Sequence, residues 1–432
     1  MSRERDSIIN FSGLKHIHFV GAGGAGTAPL AGIMLERGCN VSGSDLKCGE
    51  RTDKLVKSGA RIFEGHSKNN LPDNTQLLVY SSAAADSNPE IMAAREQNIP
   101  CLRRGEFLAE LSKLFARTTA ISGSHGKTTI TAMLAWILHK CGIPCNYMVG
   151  ARVNGMPEYG VNDSDIFITE VDESDGTNAL ISPELGIVSN VEDDHSWSVG
   201  GTRELMSNFF KFAKNSNKLI FVRDSNSNLL FKDHPEAVGV NSDTLLETEG
   251  INFEGFMKLN AALACLAAGK LGVDMDTAKK AVNSFPGVAR RMTVHFDSPE
   301  LVVIEDYAHH PTELACAVEL LRNKYPQHHL RIVFQPHRYA RLAKYIDAFA
   351  RELSFADSIF LVPVYAAWAE KGEFDSESLA CRIRKQSVLL DSNWAAMPEV
   401  ILRDRPDKLL VAVLGAGDIE KLIPELKAKL EN

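Results

Sequence analysis

The chain has 432 residues, 44% of them hydrophobic and 24% charged, which fits a globular enzyme. At roughly 100–200 residues per domain, two to four domains are expected and three is the natural division. A formal charge of −8, with the basic residues scattered rather than gathered into a stripe, argues against nucleic acid as a partner.

Met1 to Asn10 lack the apolar centre of a secretory signal, and no run approaches the ~18 apolar residues of a membrane span. The eight cysteines, spread from Cys39 to Cys381, read as reduced thiols. The expected location is the cytosol, with no membrane partner and a monomeric or homodimeric state.

In chain order, His16–Val20 reads as an apolar strand, followed by a glycine turn and a helix through Leu35, with further strands at Asn40–Ser44 and Gln76–Tyr80. This alternation predicts a parallel α/β sheet. The pattern restarts at Thr118–Ser122 with a glycine turn and an amphipathic helix over Thr128–Cys141, then strands at Ile166–Glu170 and Leu185–Asn190. The polar stretch Lys232–Phe253 reads as irregular. A third start falls at Leu301–Glu305, with Arg331–Phe334, Ser358–Val362 and Leu409–Leu414 as further buried strands. Junctions are expected near Lys113–Arg117 and near Phe285–Val288, where Pro286 and Gly287 interrupt a helical pattern.

The first glycine loop is Gly21-Ala-Gly23-Gly24-Ala25-Gly26. Glycines allow the backbone to approach a ligand closely, and the helix behind them turns free N–H groups and a positive dipole end toward a phosphate. Asp45 ends the next strand, where a dinucleotide fold keeps an acid for a ribose hydroxyl. Alone, the loop suggests an NAD-dependent oxidoreductase or mere helix-on-strand packing. UDP-sugars carry a pyrophosphate too.

The second loop, Gly123-Ser124-His125-Gly126-Lys127-Thr128-Thr129, has the strand-to-helix context of a phosphate-binding loop. Backbone N–H groups wrap the phosphates, Lys127 offers a point charge to the β- and γ-oxygens, and the Thr128 hydroxyl can reach Mg²⁺. Ile121 stands where the usual spacing has glycine, so the loop is a shortened variant. ATP is expected, because no Asn-Lys-x-Asp guanine motif is present. Two acidic runs, Thr169–Asp175 and Glu192–His195, end later strands and should face Lys127, since ligands gather at the carboxyl ends of parallel strands. A hard cation bridging phosphate oxygens wants carboxylates there. The plain alternatives are a surface acid cluster and an ordinary buried histidine at His195.

With these motifs assembled, the chain resembles the Mur ligase family. The resemblance rests on His18–Gly26, Ser42–Asp45, Tyr80–Ala83, Gly123–Thr129, Glu170–Asp175, Phe285–Arg291, Asp306–Glu313, Phe334–Tyr339 and Gly415–Ile419, in order along nearly the whole chain. It implies three α/β domains in series: a Rossmann-like N-terminal domain over 1–114 that binds a UDP-sugar, a P-loop ATPase-like central domain over 115–286, and a Rossmann-like C-terminal domain over 287–432 that binds an amino acid. The implied reaction is ATP-dependent amide formation in peptidoglycan precursor synthesis. The lactyl carboxylate of UDP-N-acetylmuramate attacks the γ-phosphate, and L-alanine captures the acyl phosphate.

By the same resemblance Thr128, Glu170 and His195 occupy magnesium-ligand positions, and Lys127, Glu170, His195 and His309 are the catalytic group. ATP is expected on the Gly123–Thr129 loop with Asn260, Arg291 and Asp306. The UDP-sugar is expected on Gly21, Gly23, Gly24, Ala25, Gly26, Asp45, Ser81, Ser82, Glu173 and Ser174, and the amino acid on Tyr307, His309, His337, Arg338 and Arg341. Arg338 and Arg341, three apart at the start of a helix, can turn to one side and grip one carboxylate.

The chain departs from the family pattern in four places. Phe256 and Met257 stand where His-Asn usually precedes the Asn-Ala of the central domain, Arg223–Gly255 is short, Ser196-Trp197 follows His195, and Ala366-Ala-Trp368-Ala-Glu370 replaces Pro-Ala-Gly-Glu. These changes bear on adenine packing and on the acceptor. The alternatives they keep open are a ligase that attaches a ready-made peptide to the same sugar and a non-catalytic UDP-sugar- or ATP-binding relative.

Overall fold

The structure is a computed structural model that describes residues 9–240, 249–367 and 371–431. Among the described residues the strands form three sheets. The first contains β1 (His16–Val20), β2 (Asn40–Asp45), β3 (Arg61–Glu64), β4 (Leu77–Tyr80) and β5 (Cys101–Arg103), in the order β3-β2-β1-β4-β5. All its pairings are parallel, with Val20 opposite both Ser44 and Tyr80. This is the doubly wound order, whose switch point lies between β1 and β4.

The second sheet holds β6 (Arg117–Ser122), β7 (Asn146–Met148), β8 (Tyr159–Gly160), β9 (Ile166–Glu170), β10 (Leu185–Val188), β11 (Lys218–Val222) and β12 (Ala237–Val240), in the order β12-β11-β10-β6-β9-β7-β8. Only the short β7–β8 pair is antiparallel. β6 therefore lies between β10 and β9, and the loop leaving it is flanked by the two acid-bearing loops.

The third sheet is built from β13 (Thr293–Asp297), β14 (Leu301–Asp306), β15 (His329–Phe334), β16 (Ser358–Leu361), β17 (Ser387–Leu389) and β18 (Leu409–Leu414), in the order β13-β14-β18-β15-β16-β17. The chain forms two compact units, Met1–Phe253 with Met257–Pro286, which carries two sheets, and Gly287–Asn432 with Glu254–Phe256, which carries one.

Three expectations from the sequence need correction. The helix after the second glycine loop runs Lys127–Lys140 and is enclosed from Thr129 to Leu138, so it is a core helix rather than an amphipathic one. Its Trp136 indole N–H reaches the carbonyl of Ala281 at 3.2 Å, which shows that its far side is covered by the helix Met275–Asn283. The stretch from Lys232 is not wholly irregular, because Ala237–Val240 pairs in parallel with Leu219–Val222 and extends the sheet as β12. Its continuation over 241–248 lies outside the described residues. The third sheet does not begin at Leu301, since β13 precedes β14 and pairs antiparallel with it across a bulge at Val294–Phe296. The half-buried Thr293, His295 and Phe296 gave β13 too weak an apolar signature to be read.

The eight cysteines are free. No helix among the described residues is long and apolar enough to cross a membrane.

Candidate active site

The first glycine loop leaves β1 at its carboxyl end. Gly21 has φ +76°, and a Cβ there would stand 2.8 Å from the Cβ of Ser81, so the loops after β1 and β4 meet at the switch point. Ser81 N–H donates to the Val20 carbonyl at 2.9 Å. Asp45 Oδ2 accepts from Gly23 N–H at 2.8 Å, so this carboxylate fastens the loop itself. Gly23, Gly24 and Gly26 are half-buried, while Ala25 and Ser82 are exposed at the mouth.

The second loop is bonded to its neighbour. His125 N–H donates to Asn190 Oδ1 at 2.9 Å, Glu192 N–H donates to the Ser124 hydroxyl at 2.9 Å, and the Ser189 hydroxyl donates to the His125 carbonyl. Gly123 (φ +136°) lies so close to the Ser189 hydroxyl that no side chain would fit. Gly126 (φ +88°) caps the helix Lys127–Lys140, and a Cβ there would meet Asn260 Oδ1 at 2.8 Å. Thr129, the last residue of the motif, is buried in the helix. The buried Asn260 is thus carried to the edge of the loop from a helix more than a hundred residues downstream.

Lys127 Nζ lies 2.6 Å from Glu173 Oε2 and donates to the Gly123 carbonyl at 2.6 Å. Thr128 Oγ1 donates to Glu170 Oε2 at 2.7 Å, and Gly150 N–H donates to the other Glu170 oxygen. Burial works against the Lys127 charge, but Glu173, Asp172 and Glu170 outweigh it and raise the ammonium above its ordinary value. Burial would likewise raise Asp172, yet Lys127, Arg104 and His195 together hold it at about 2. Ser174 N–H donates to Asp172 Oδ1 at 2.9 Å.

His195 stands after β10 with φ +65°, its Nε2 3.3 Å from Asp194 Oδ2. A non-glycine residue in this left-handed region stores backbone strain of ~1–3 kcal/mol. The structure thus joins Thr128 with Glu170 and Lys127 with Glu173, and it sets His195 within electrostatic reach of Asp172.

Arg104, not singled out in the sequence, belongs to the same assembly. It pairs with Asp175, lies 3.8 Å from Asp172, and passes beside Gly26. A run of two arginines before a helix carries no signature of its own, and only the fold reveals these neighbours.

In the second unit, Asp306 at the end of β14 accepts from Met292 N–H and Ala308 N–H, both at 2.8 Å. Burial pushes this carboxyl up to about 6, although Arg291 pulls the other way. Arg291 lies 3.4 Å from Glu313, whose other oxygen accepts from His309 N–H at 3.0 Å. Glu313 therefore links two predicted site residues and was itself overlooked. Its signal was the i, i+4 spacing from His309.

The guanidinium carbons of Arg290 and Arg291 lie 4.9 and 5.0 Å from the centre of the Tyr307 ring. His337 stacks on Tyr365 at 5.6 Å and stands 5.6 Å from the His309 ring. Arg338 caps the helix Tyr339–Leu353 with φ +66° and ψ +129°. Arg341 is fully enclosed, its Nη1 3.2 Å from His337 Nδ1. The two arginines thus differ in access, Arg338 being half-buried. Trp368 lies outside the described residues.

Similarity to known proteins identifies the family. The model described as "Mur ligase family, catalytic domain" matches residues 16–116, the Mur ligase middle domain matches 121–244, and the Mur ligase glutamate ligase domain matches 290–417. A UDP-N-acetylmuramate–L-alanine ligase of Syntrophomonas wolfei is 31% identical across 94% of this chain and 96% of its own length. One of Myxococcus xanthus is 33% identical across 95% and 94%. The chain belongs to the Mur ligase family.

Among solved structures, this Mur ligase is similar to the UDP-N-acetylmuramate-alanine ligase of Thermotoga maritima, with 25% identity, a TM-score of 0.79 and coverage of 96% of this chain and 99% of the other. The fold is shared with a murein peptide ligase of Psychrobacter arcticus, at 21% identity and a TM-score of 0.70 over 97% and 99%.

Proposed function

We propose that this Mur ligase uses ATP to join L-alanine to the lactyl carboxylate of UDP-N-acetylmuramate, releasing ADP and phosphate, in the cytosolic assembly of peptidoglycan precursors. The reading is carried by end-to-end similarity, at 31–33% identity, to proteins named UDP-N-acetylmuramate–L-alanine ligase.

The assigned roles follow from chemistry. A carboxylate is a poor electrophile and repels a triphosphate, so charge must be neutralised where the phosphoryl group moves. Lys127 takes the γ-phosphate, exchanging its Glu173 and Gly123 partners for phosphate oxygens. The N–H groups of Gly123–Thr129 wrap the phosphates with Asn260 beside them, and in the second unit Arg291 and Asp306 are the further residues assigned to the nucleotide.

Thr128 and Glu170 offer a hydroxyl and a carboxylate whose oxygens are already 2.7 Å apart, a hard-oxygen set that fits Mg²⁺. His195 is the third candidate ligand. When bound, the ion would supply positive charge to the phosphate oxygens during transfer.

The UDP-sugar pyrophosphate goes to the loop Gly21–Gly26 and the adjoining Ser81, with Glu173 and Ser174 toward the sugar. In the second unit Tyr307, His309, His337 and Arg338 receive the amino acid. The enclosed Arg341 acts behind His337.

The test is ADP release measured with UDP-N-acetylmuramate and a panel of single amino acids and of peptides beginning L-Ala-γ-D-Glu. Turnover should require the sugar and be fastest with L-alanine, and Lys127→Ala should abolish it while UDP-sugar binding persists. Faster turnover with the peptide refutes the alanine assignment. ATP-independent hydride transfer with NAD refutes the ligase.

A further inference from the structure

The reaction assigned above brings together two ligands held on different sheets, the UDP-sugar at the loop after β1 and ATP at the loop after β6. Its rate depends on the distance between them. One side chain in the first unit touches both sides of that span.

Arg104 opens the helix Arg104–Ser112, directly after β5. Its side chain is only 12% exposed. On one side it lies against Gly26, where an added Cβ would stand 2.5 Å from its Nη1 and 2.8 Å from its Cδ. On the other its Nη2 bonds to Asp175 and approaches Asp172 at 3.8 Å. Both acids belong to the segment that leaves β9 at Glu170, on Thr128, and also carries Glu173, on Lys127.

The acid end is held by further contacts. Asp175 Oδ1 also accepts from Thr177 N–H at 3.0 Å, and Gly105 is packed against Thr177 too closely to admit a side chain. The glycine loop of the first sheet and the acid segment of the second are thus joined through a single planar cation. A guanidinium suits this place, because one nitrogen, Nη2, serves the carboxylates while Nη1 and Cδ lie against a glycine that carries no side chain. An enclosed ion pair contributes little net stability against hydrophobic packing, because desolvation offsets its attraction. Stability alone is a poor reason for it.

We propose that Arg104 is a positioning residue of the ligase: it fixes the separation between the pyrophosphate loop and the γ-phosphate loop, so that the sugar carboxylate meets the phosphoryl group in line. The inference rests on the proposed function. A displacement of ~1 Å in such a geometry costs on the order of 100-fold in rate, whereas each ligand still has its own loop to bind.

The experiment is a split between binding and turnover in R104A, R104K and D175N, with melting curves as a check on folding. UDP-N-acetylmuramate and ATP affinities, each measured alone by calorimetry, should stay within ~3-fold of wild type. The kcat for ADP release should fall ~100-fold in R104A and D175N and less in R104K. The double variant R104A/D175N should be no slower than either single one, because both remove the same strut.

Unchanged kcat in all variants overturns the proposal, as does a loss of kcat matched by an equal loss of affinity or of folded protein in every one of them. A wild-type chain that forms no amide would overturn the ligase reading first, and this role with it.

Discussion

The Thr128 hydroxyl donates to Glu170 Oε2 across 2.7 Å while Gly150 N–H holds the other oxygen of the same carboxylate. Glu170 is thereby aimed at the phosphate loop with both oxygens fixed, and its charge rather than its shape is what a cation would need. Glu170→Gln keeps the acceptor toward Thr128 or Gly150 but removes the charge. It should raise the magnesium concentration for half-maximal ADP release by ~10-fold or more, with a smaller rise for His195→Ala, as expected for loss of a ligand to a hard ion. Wild-type magnesium curves in both variants would contradict the assignment.

Gly126→Ala tests the neck of the same loop. An L-residue at φ +88° is strained, and its Cβ would meet Asn260 Oδ1 at 2.8 Å. A stability loss of ~1–3 kcal/mol and a rise in the KM for ATP are expected. Asn260→Ala in the same chain relieves the collision without relieving the dihedral, so it should restore only part of the lost stability. Full restoration in a denaturant titration would mean that the backbone is not strained.

Asp306 gives a pH dependence of known sign. Its carboxyl is raised from 3.8 to about 6 by burial, so between those values the folded chain holds a proton that the unfolded chain has released. The associated stability is complete below about pH 4 and is lost as pH rises through 6, amounting to about 3 kcal/mol at most. Asp306→Asn cannot ionise, so its stability should fall less than wild type's between pH 4.5 and 8 in paired unfolding curves. Parallel curves would remove this carboxyl as the source.

Arg338 is the accessible member of its pair, so Arg338→Ala should raise the KM for L-alanine by ~10-fold or more with UDP-sugar affinity unchanged. Losing a charge-assisted contact to a carboxylate costs ~1.5–3 kcal/mol. Arg341→Ala removes an enclosed cation and should lower the melting temperature as well. Equal alanine kinetics in Arg338→Ala and wild type would take Arg338 out of the acceptor site.

The strand–glycine–helix units at His16–Glu36 and Arg117–Lys140 were legible because apolar runs, glycines and a helix start follow one another within some twenty residues. The long strands of the third sheet were equally plain, being continuous apolar runs such as Leu409–Leu414. The edge strands β3, β5, β12 and β17 are short and only partly buried, so their patterns do not stand out from turns. The enclosure of the helix Lys127–Lys140 from Thr129 to Leu138 was written in its nearly unbroken apolar stretch Ile130–Leu138, where the lone Thr131 and the small alanines do not form a wet face. Arg104, Glu313 and the contact of Asn260 with Gly126 depend on chain segments that meet only after folding. No local spacing reveals such meetings, apart from the Glu313 offset.

A helix with no wet face has no direction in which to slide. The helix Lys127–Lys140 is enclosed from Thr129 to Leu138 and tied by Trp136 to Ala281, so any shift along its axis would drag close-packed side chains out of register. On the proposed function the nucleotide would therefore be received on a stationary platform, and its arrival would be registered by a change of partner at the tip of Lys127 rather than by recoil of the backbone beneath it.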